Sequence, residues 1–177
     1  MNNFYRTLVI VISAVCSVPV TNAAQLNKKA LAQNQAIQAL CDTTDYEISS
    51  VGVVLNNNGK KDPPKLFFIK NNSDFSIWVD KANKGTKGLS AGWASEIEKH
   101  HWSALLLAED GQFKMYCSRT IGNRQKLLDC KKFITVCHAT QVKYNDTPNG
   151  GYWATENQKA KDFLPALEKR GIAVSVR

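Results

Sequence analysis

The chain has no apolar run long enough to cross a bilayer. The run from Leu8 to Val15 is well short of the ~20 residues a transmembrane helix needs, and Pro19 follows it. There is no block of five or six basic residues, no zinc-finger spacing, no basic helix and no aromatic ribonucleoprotein motif. Nucleic acid is therefore left without a recognisable reader. Paired C-x-x-C hooks are missing, which argues against a zinc site. The G-x-S-x-G elbow and the H-x-E and H-E-x-x-H patterns are missing too, which removes two common hydrolase designs. No internal repeat or low-complexity segment breaks the chain.

What is present begins with a leader. Arg6 precedes the apolar run, and the small-residue stretch Thr21-Asn22-Ala23-Ala24 closes it. A basic start, an apolar core and a small-residue exit predict a secretory signal peptide over residues 1–23. An N-terminal anchor is the plainer alternative. Lipidation at Cys16 is another, disfavoured by bulky Val15 just before it. Cleavage leaves residues 24–177 outside the cytosol, periplasmic or secreted, with no transmembrane helix. Residues 24–45 read as a weakly structured lead-in or weak helix, and 46–177 as a single β-rich domain.

Four cysteines lie beyond the leader: Cys41, Cys117, Cys130 and Cys137. An even number in an exported chain predicts two disulfides, with three possible connectivities. The expectation is that Cys117 pairs with Cys130 or Cys137. No metal and no cofactor are expected. The net charge is +8, and the leader holds only Arg6 of it. Such a balance favours anionic partners, but the lysines are scattered, which reads first as a solvated surface.

The strand pattern is short and frequent. Ile48 to Leu55 and Leu66 to Lys70 read as strands that could pair as a hairpin across Asn56-Asn57-Asn58-Gly59. Phe75, Ile77 and Val79 alternate with polar neighbours, and residues 81–92 read as a loop. Ser103 to Ala108 and Gln112 to Cys117 flank the tight-turn pair Asp110-Gly111. Further strands are expected near Leu127-Leu128, over Phe133 to Cys137 and over Ile172 to Val176. Thr155 to Arg170 reads as a helix blemished by Pro165 and stopped by Gly171. The sum predicts a mainly β protein: an antiparallel β-sandwich or barrel-like domain with one C-terminal α-helix.

The densest stretch is Ser90-Ala91-Gly92-Trp93-Ala94-Ser95, a charged spacer, then His100-His101-Trp102-Ser103. Trp93 and Trp102, with Ser95 and Ser103, form the candidate ligand-binding set, with the tryptophans as stacking platforms for a sugar or lipid headgroup. Burial of both rings in the core is the plainer alternative. No catalytic residue is assigned. Cys137 and His138 are adjacent in a strand, so their side chains should point to opposite faces. Asn71-Asn72-Ser73 and Asn145-Asp146-Thr147 fit a glycosylation pattern but read as turn chemistry.

An ordered series runs through the chain. Asn72-Ser73 is followed by Ile77-Trp78-Val79-Asp80, Ser90 to Ser95 and His101-Trp102-Ser103-Ala104-Leu105. Cys117, Cys130, Val136-Cys137 and Tyr152-Trp153-Ala154-Thr155-Glu156-Asn157 complete it. This series resembles the bacterial enhanced-entry proteins of the EnhB type, over residues 66–175. Here the spacer Glu96 to His100 is charged where a small turn would be expected, and Cys41 lies outside the matched span. The resemblance implies an exported, non-catalytic accessory protein linked to host-cell entry or envelope function. It implies an unidentified protein, glycan or lipid partner outside the cytosol. The rival readings are a secreted hydrolase or toxin acting on an envelope or host polymer, and a membrane-active β-sandwich.

Overall fold

Two segments are buried on both sides, and they set the architecture. Leu66 to Ile69 and Trp102 to Leu107 are buried at every position. A strand of this kind needs cover above and below its sheet. The computed structural model describes residues 23–57, 63–82, 89–108 and 111–175. It begins with helix α1 (Ala23–Gln38) and strands β1 (Cys41–Asp42), β2 (Tyr46–Ile48), β3 (Val53–Asn57) and β4 (Lys65–Asn71). Then come β5 (Ile77–Ala82), β6 (Leu89–Ile97), β7 (Trp102–Leu107), β8 (Gly111–Ile121) and β9 (Arg124–Leu128). Helix α2 (Cys130–Phe133), strands β10 (Ile134–Ala139), β11 (Val142–Tyr144) and β12 (Gly151–Gln158), helix α3 (Ala160–Glu168) and strand β13 (Ile172–Val174) complete it.

One antiparallel sheet has the order β1-β10-β4-β7-β12. A second has the order β2-β3-β8-β5-β6, with β9 also paired to β8. Strands β11 and β13 form a small separate ribbon. Phe67, Ile69, Leu105 and Leu107 face the second sheet and pack with Leu55, Val79, Phe113 and Met115. Leu66, Phe68, Trp102, Ala104 and Leu106 face the other way and pack with Ile37, Leu40, Phe163 and Leu167 of the helical layer. The molecule is thus an antiparallel sandwich with helices over one sheet, and neither sheet closes into a barrel.

Several expectations change in the structure. The strand expected from Ile48 to Leu55 is a hairpin of β2 and β3 turned at Ser49–Gly52. Gly52 is needed there, because a Cβ would run into the Met115 carbonyl oxygen. Strand β3 does not pair with β4; it pairs with β8 in the other sheet. The cause is burial. Strand β3 has one apolar face, whereas β4 has two and takes a central place. For the same reason β7 and β8 are not a hairpin: they lie in different sheets. Asp110, Asn58, Gly59, Gly85, Gly88 and residues 1–22 of the leader, Cys16 among them, lie outside the described residues. The expected 81–92 loop gives up Lys81 and Ala82 to β5 and everything from Leu89 to β6.

The C-terminal helix begins later than composition suggests. Thr155 to Gln158 continue β12 against β7, with register shifts after Trp153 and Thr155. Pro165 sits inside α3, where it removes one helical hydrogen bond, and Gly171 at φ +72° follows its end. Residues 24–45, undecided from sequence, hold helix α1 and strand β1. Both disulfides form. Cys117–Cys130 closes a short loop, and Cys41–Cys137, 96 residues apart in sequence, ties β1, just past α1, to β10.

Candidate functional site

The four residues singled out for ligand binding separate into two structural roles. Trp102 is fully buried in the helix-side core, its ring centroid 5.5 Å from that of Phe163. Its indole N–H donates to Asn34 Oδ1 at 3.0 Å. Trp93 is half-buried against the opposite core, 5.1 Å from Phe113, with Lys81 Nζ 5.1 Å from its ring centroid. The two rings lie on opposite sides of a sheet and share no surface. The structure does bring the two serines together. Ser95 Oγ and Ser103 Oγ are 3.0 Å apart, buried between the sheets.

The serines belong to a structural corner. The Asn157 backbone N–H donates to Ser103 Oγ at 2.9 Å. Asn157 Oδ1 accepts from the Glu98 N–H and lies 2.8 Å from His101 Nδ1. Asn71, fully buried, donates to the carbonyls of Phe75, Ile97 and Glu98 and accepts from both the Ser73 N–H and hydroxyl. This is the turn chemistry expected of Asn71-Asn72-Ser73. Polar groups buried at the ends of β4, β6, β7 and β12 must find partners, and they find each other. The histidines touch other groups: His101 meets Asn157 and Glu98, and His100 Nε2 lies 3.2 Å from Asp74. A serine hydroxyl without a base is a weak nucleophile.

A second polar cluster lies at the far end of β10. Cys137 faces the helices in its disulfide, while His138 faces the other way, 5.4 Å from the Phe67 ring, as strand alternation requires. His138 Nδ1 is 3.2 Å from Asp45, which also holds Lys65 Nζ at 3.0 Å. The His138 contact has an ion-pair distance but lacks the alignment of a hydrogen bond. Burial pushes His138 below its ordinary pKa, Asp45 and Asp42 oppose that, and Lys65 adds to it. Among the described residues, no group of three His, Cys, Asp or Glu side chains is placed to hold a metal.

An opening that can admit a ligand lies elsewhere. A cleft of about 520 Å³ lies between α1, the start of α3 and the β6–β7 turn. Lys29 comes from α1, Lys99 and His100 from the turn, and Lys159 and Lys161 from the start of α3. Asn34, which holds the Trp102 indole, also lines it. His100 takes the left-handed conformation, φ 61°, as the chain crosses from one sheet to the other. Sequence reading misses this site because its lysines come from three distant segments, and no local pattern joins them. No protein-family model, curated protein or solved structure matches the chain.

Proposed function

We propose that this is an exported accessory protein that acts by binding, with the α1–α3 cleft as its binding site. The observation that carries the reading is the contrast between two places. The candidate serines are buried and bonded to each other, whereas the cleft is open and lined by basic side chains. Two disulfides support an oxidising compartment outside the cytosol. Among the described residues no helix is long and apolar enough to cross a membrane. The resemblance to enhanced-entry proteins adds a role in host-cell entry or at the envelope. The membrane-active alternative has less support, because Trp93 and Trp153 pack on the sandwich core while Trp78 pairs in register with Ser118 and Glu96 mid-sheet.

The test is co-sedimentation of the exported protein with isolated envelope material, with the supernatant analysed for released fragments. Retention that is lost in the folded Lys99→Ala/Lys161→Ala variant, with no fragments released, is the expected result. Fragment release, or retention unchanged in the variant, overturns the reading.

A further inference from the structure

We propose that the cleft takes a compact polyanion, a small organic body bearing two or more phosphate or sulfate groups; this rests on the cleft being the binding site. Four lysines line the cleft from three separate segments: Lys29, Lys99, and the pair Lys159 and Lys161. No carboxylate lines it, and among the described residues none of these four lysines stands in an ion pair. The nearby acids are engaged elsewhere or lie outside the lining. Asp74 holds His100, and Glu98 is committed to Asn157 and His101. Asp162 lies in the first turn of α3 but outside the lining.

Like charges converging on a concave surface repel one another and focus a positive potential that an anion relieves. Scattered surface lysines lack this effect, because salt screens charges beyond about 8 Å at physiological strength. The first turn of α3 lies on the same wall, and Lys159 gives it no side-chain cap. Size sets the ligand class. A volume of about 520 Å³ lies within the roughly 300–1,000 Å³ of small-molecule pockets. A single phosphate would fill only part of such a volume. Ala30 and Ala160 lie among the lysines. They leave an uncharged stretch for a ligand body between its anionic groups. Lysine acts as a point charge toward phosphate and sulfate oxygens, which suits this arrangement.

Calorimetric titration near physiological salt tests this, with inorganic phosphate, inositol hexakisphosphate and sucrose octasulfate as probes. One polyanion should bind per protein, and inorganic phosphate should bind at least about a hundredfold more weakly. Lys99→Ala/Lys161→Ala should weaken the polyanion by about tenfold or more. Lys126→Ala/Lys143→Ala, which removes the same charge away from the cleft, should change it less than about twofold. Circular dichroism confirms that both variants stay folded. Preference for the phosphate or the sulfate probe identifies the source. Equal weakening by both variants, or several equivalents bound, overturns the proposal in favour of a diffuse basic surface. Envelope co-sedimentation that depends on Lys99 and Lys161, in a protein that binds no polyanion, overturns the ligand class and leaves the binding reading standing. Failure of both overturns both.

Discussion

The Trp102 indole N–H donates to Asn34 Oδ1 at 3.0 Å, fastening helix α1 to the first residue of β7. The bond matters because α1 is lightly held. Among its described side chains Ile37 is the buried one, with Leu40 just beyond its end, and Leu31 is largely exposed. Asn34→Ala would leave the indole donor unpaired inside the core. A loss of about 1–3 kcal/mol is expected by urea denaturation. Adding Trp102→Phe should cost less than the two single changes together, because the orphaned donor goes with it.

The two disulfides should differ in weight. Cys41–Cys137 spans 96 residues and Cys117–Cys130 spans 13. On the loop-closure model, removing the first costs about 4–5 kcal/mol and removing the second about 3 kcal/mol. The serine pairs Cys41→Ser/Cys137→Ser and Cys117→Ser/Cys130→Ser, compared by denaturant melts, check the order. Loss of the first bridge also removes the covalent anchor of β1, just past the helix that forms one wall of the cleft. Reduction should therefore weaken polyanion binding more in wild type than in the Cys41→Ser/Cys137→Ser variant.

Acid should cost stability through His138. Burial lowers its pKa below 6.5, so the folded state binds fewer protons than the unfolded state in the window just under that value. Stability is then fully present above about pH 6.5 and falls as pH drops through the window. Melting temperatures from pH 5 to pH 7.5 should show this slope, and His138→Asn should flatten it. A slope unchanged in the variant assigns the effect to other groups.

Asp80 carries the opposite sign. It is buried in the second sheet, accepts from Ser118 Oγ at 3.0 Å and from Gln125 Nε2 at 3.3 Å, and has a raised pKa caused chiefly by burial. Its charged form is disfavoured in the fold, so this contribution falls as pH rises through the window above 3.8. Asp80→Asn keeps an acceptor for both donors without the charge. At pH 7 it should be at least as stable as wild type, whereas Asp80→Ala should lose about 1–3 kcal/mol.

The strands were legible where alternation was clean. Phe113, Met115 and Cys117 fall on one buried face, as their spacing predicts. Pairing was not legible. Turn signals join neighbours in sequence, but Leu66 to Ile69 and Trp102 to Leu107 need cover on both faces, and that demand separates them from β3 and β8. The Trp93–Trp102 region looked like one surface because the residues are close in sequence. The turn at His100 carries the chain from one sheet to the other and parts the rings. The cleft depends on α1 and α3 meeting beside that turn, a tertiary event with no local signature.

A ligand seated between α1 and α3 would touch both walls of the cleft at once. A backbone amide NMR map of the protein titrated with inositol hexakisphosphate reads both walls directly. Shifts gathered on residues 29–34, 99–101 and 159–161 are the predicted result. Shifts spread evenly over exposed lysines such as Lys114, Lys126 and Lys143, with both cleft walls silent, would contradict it.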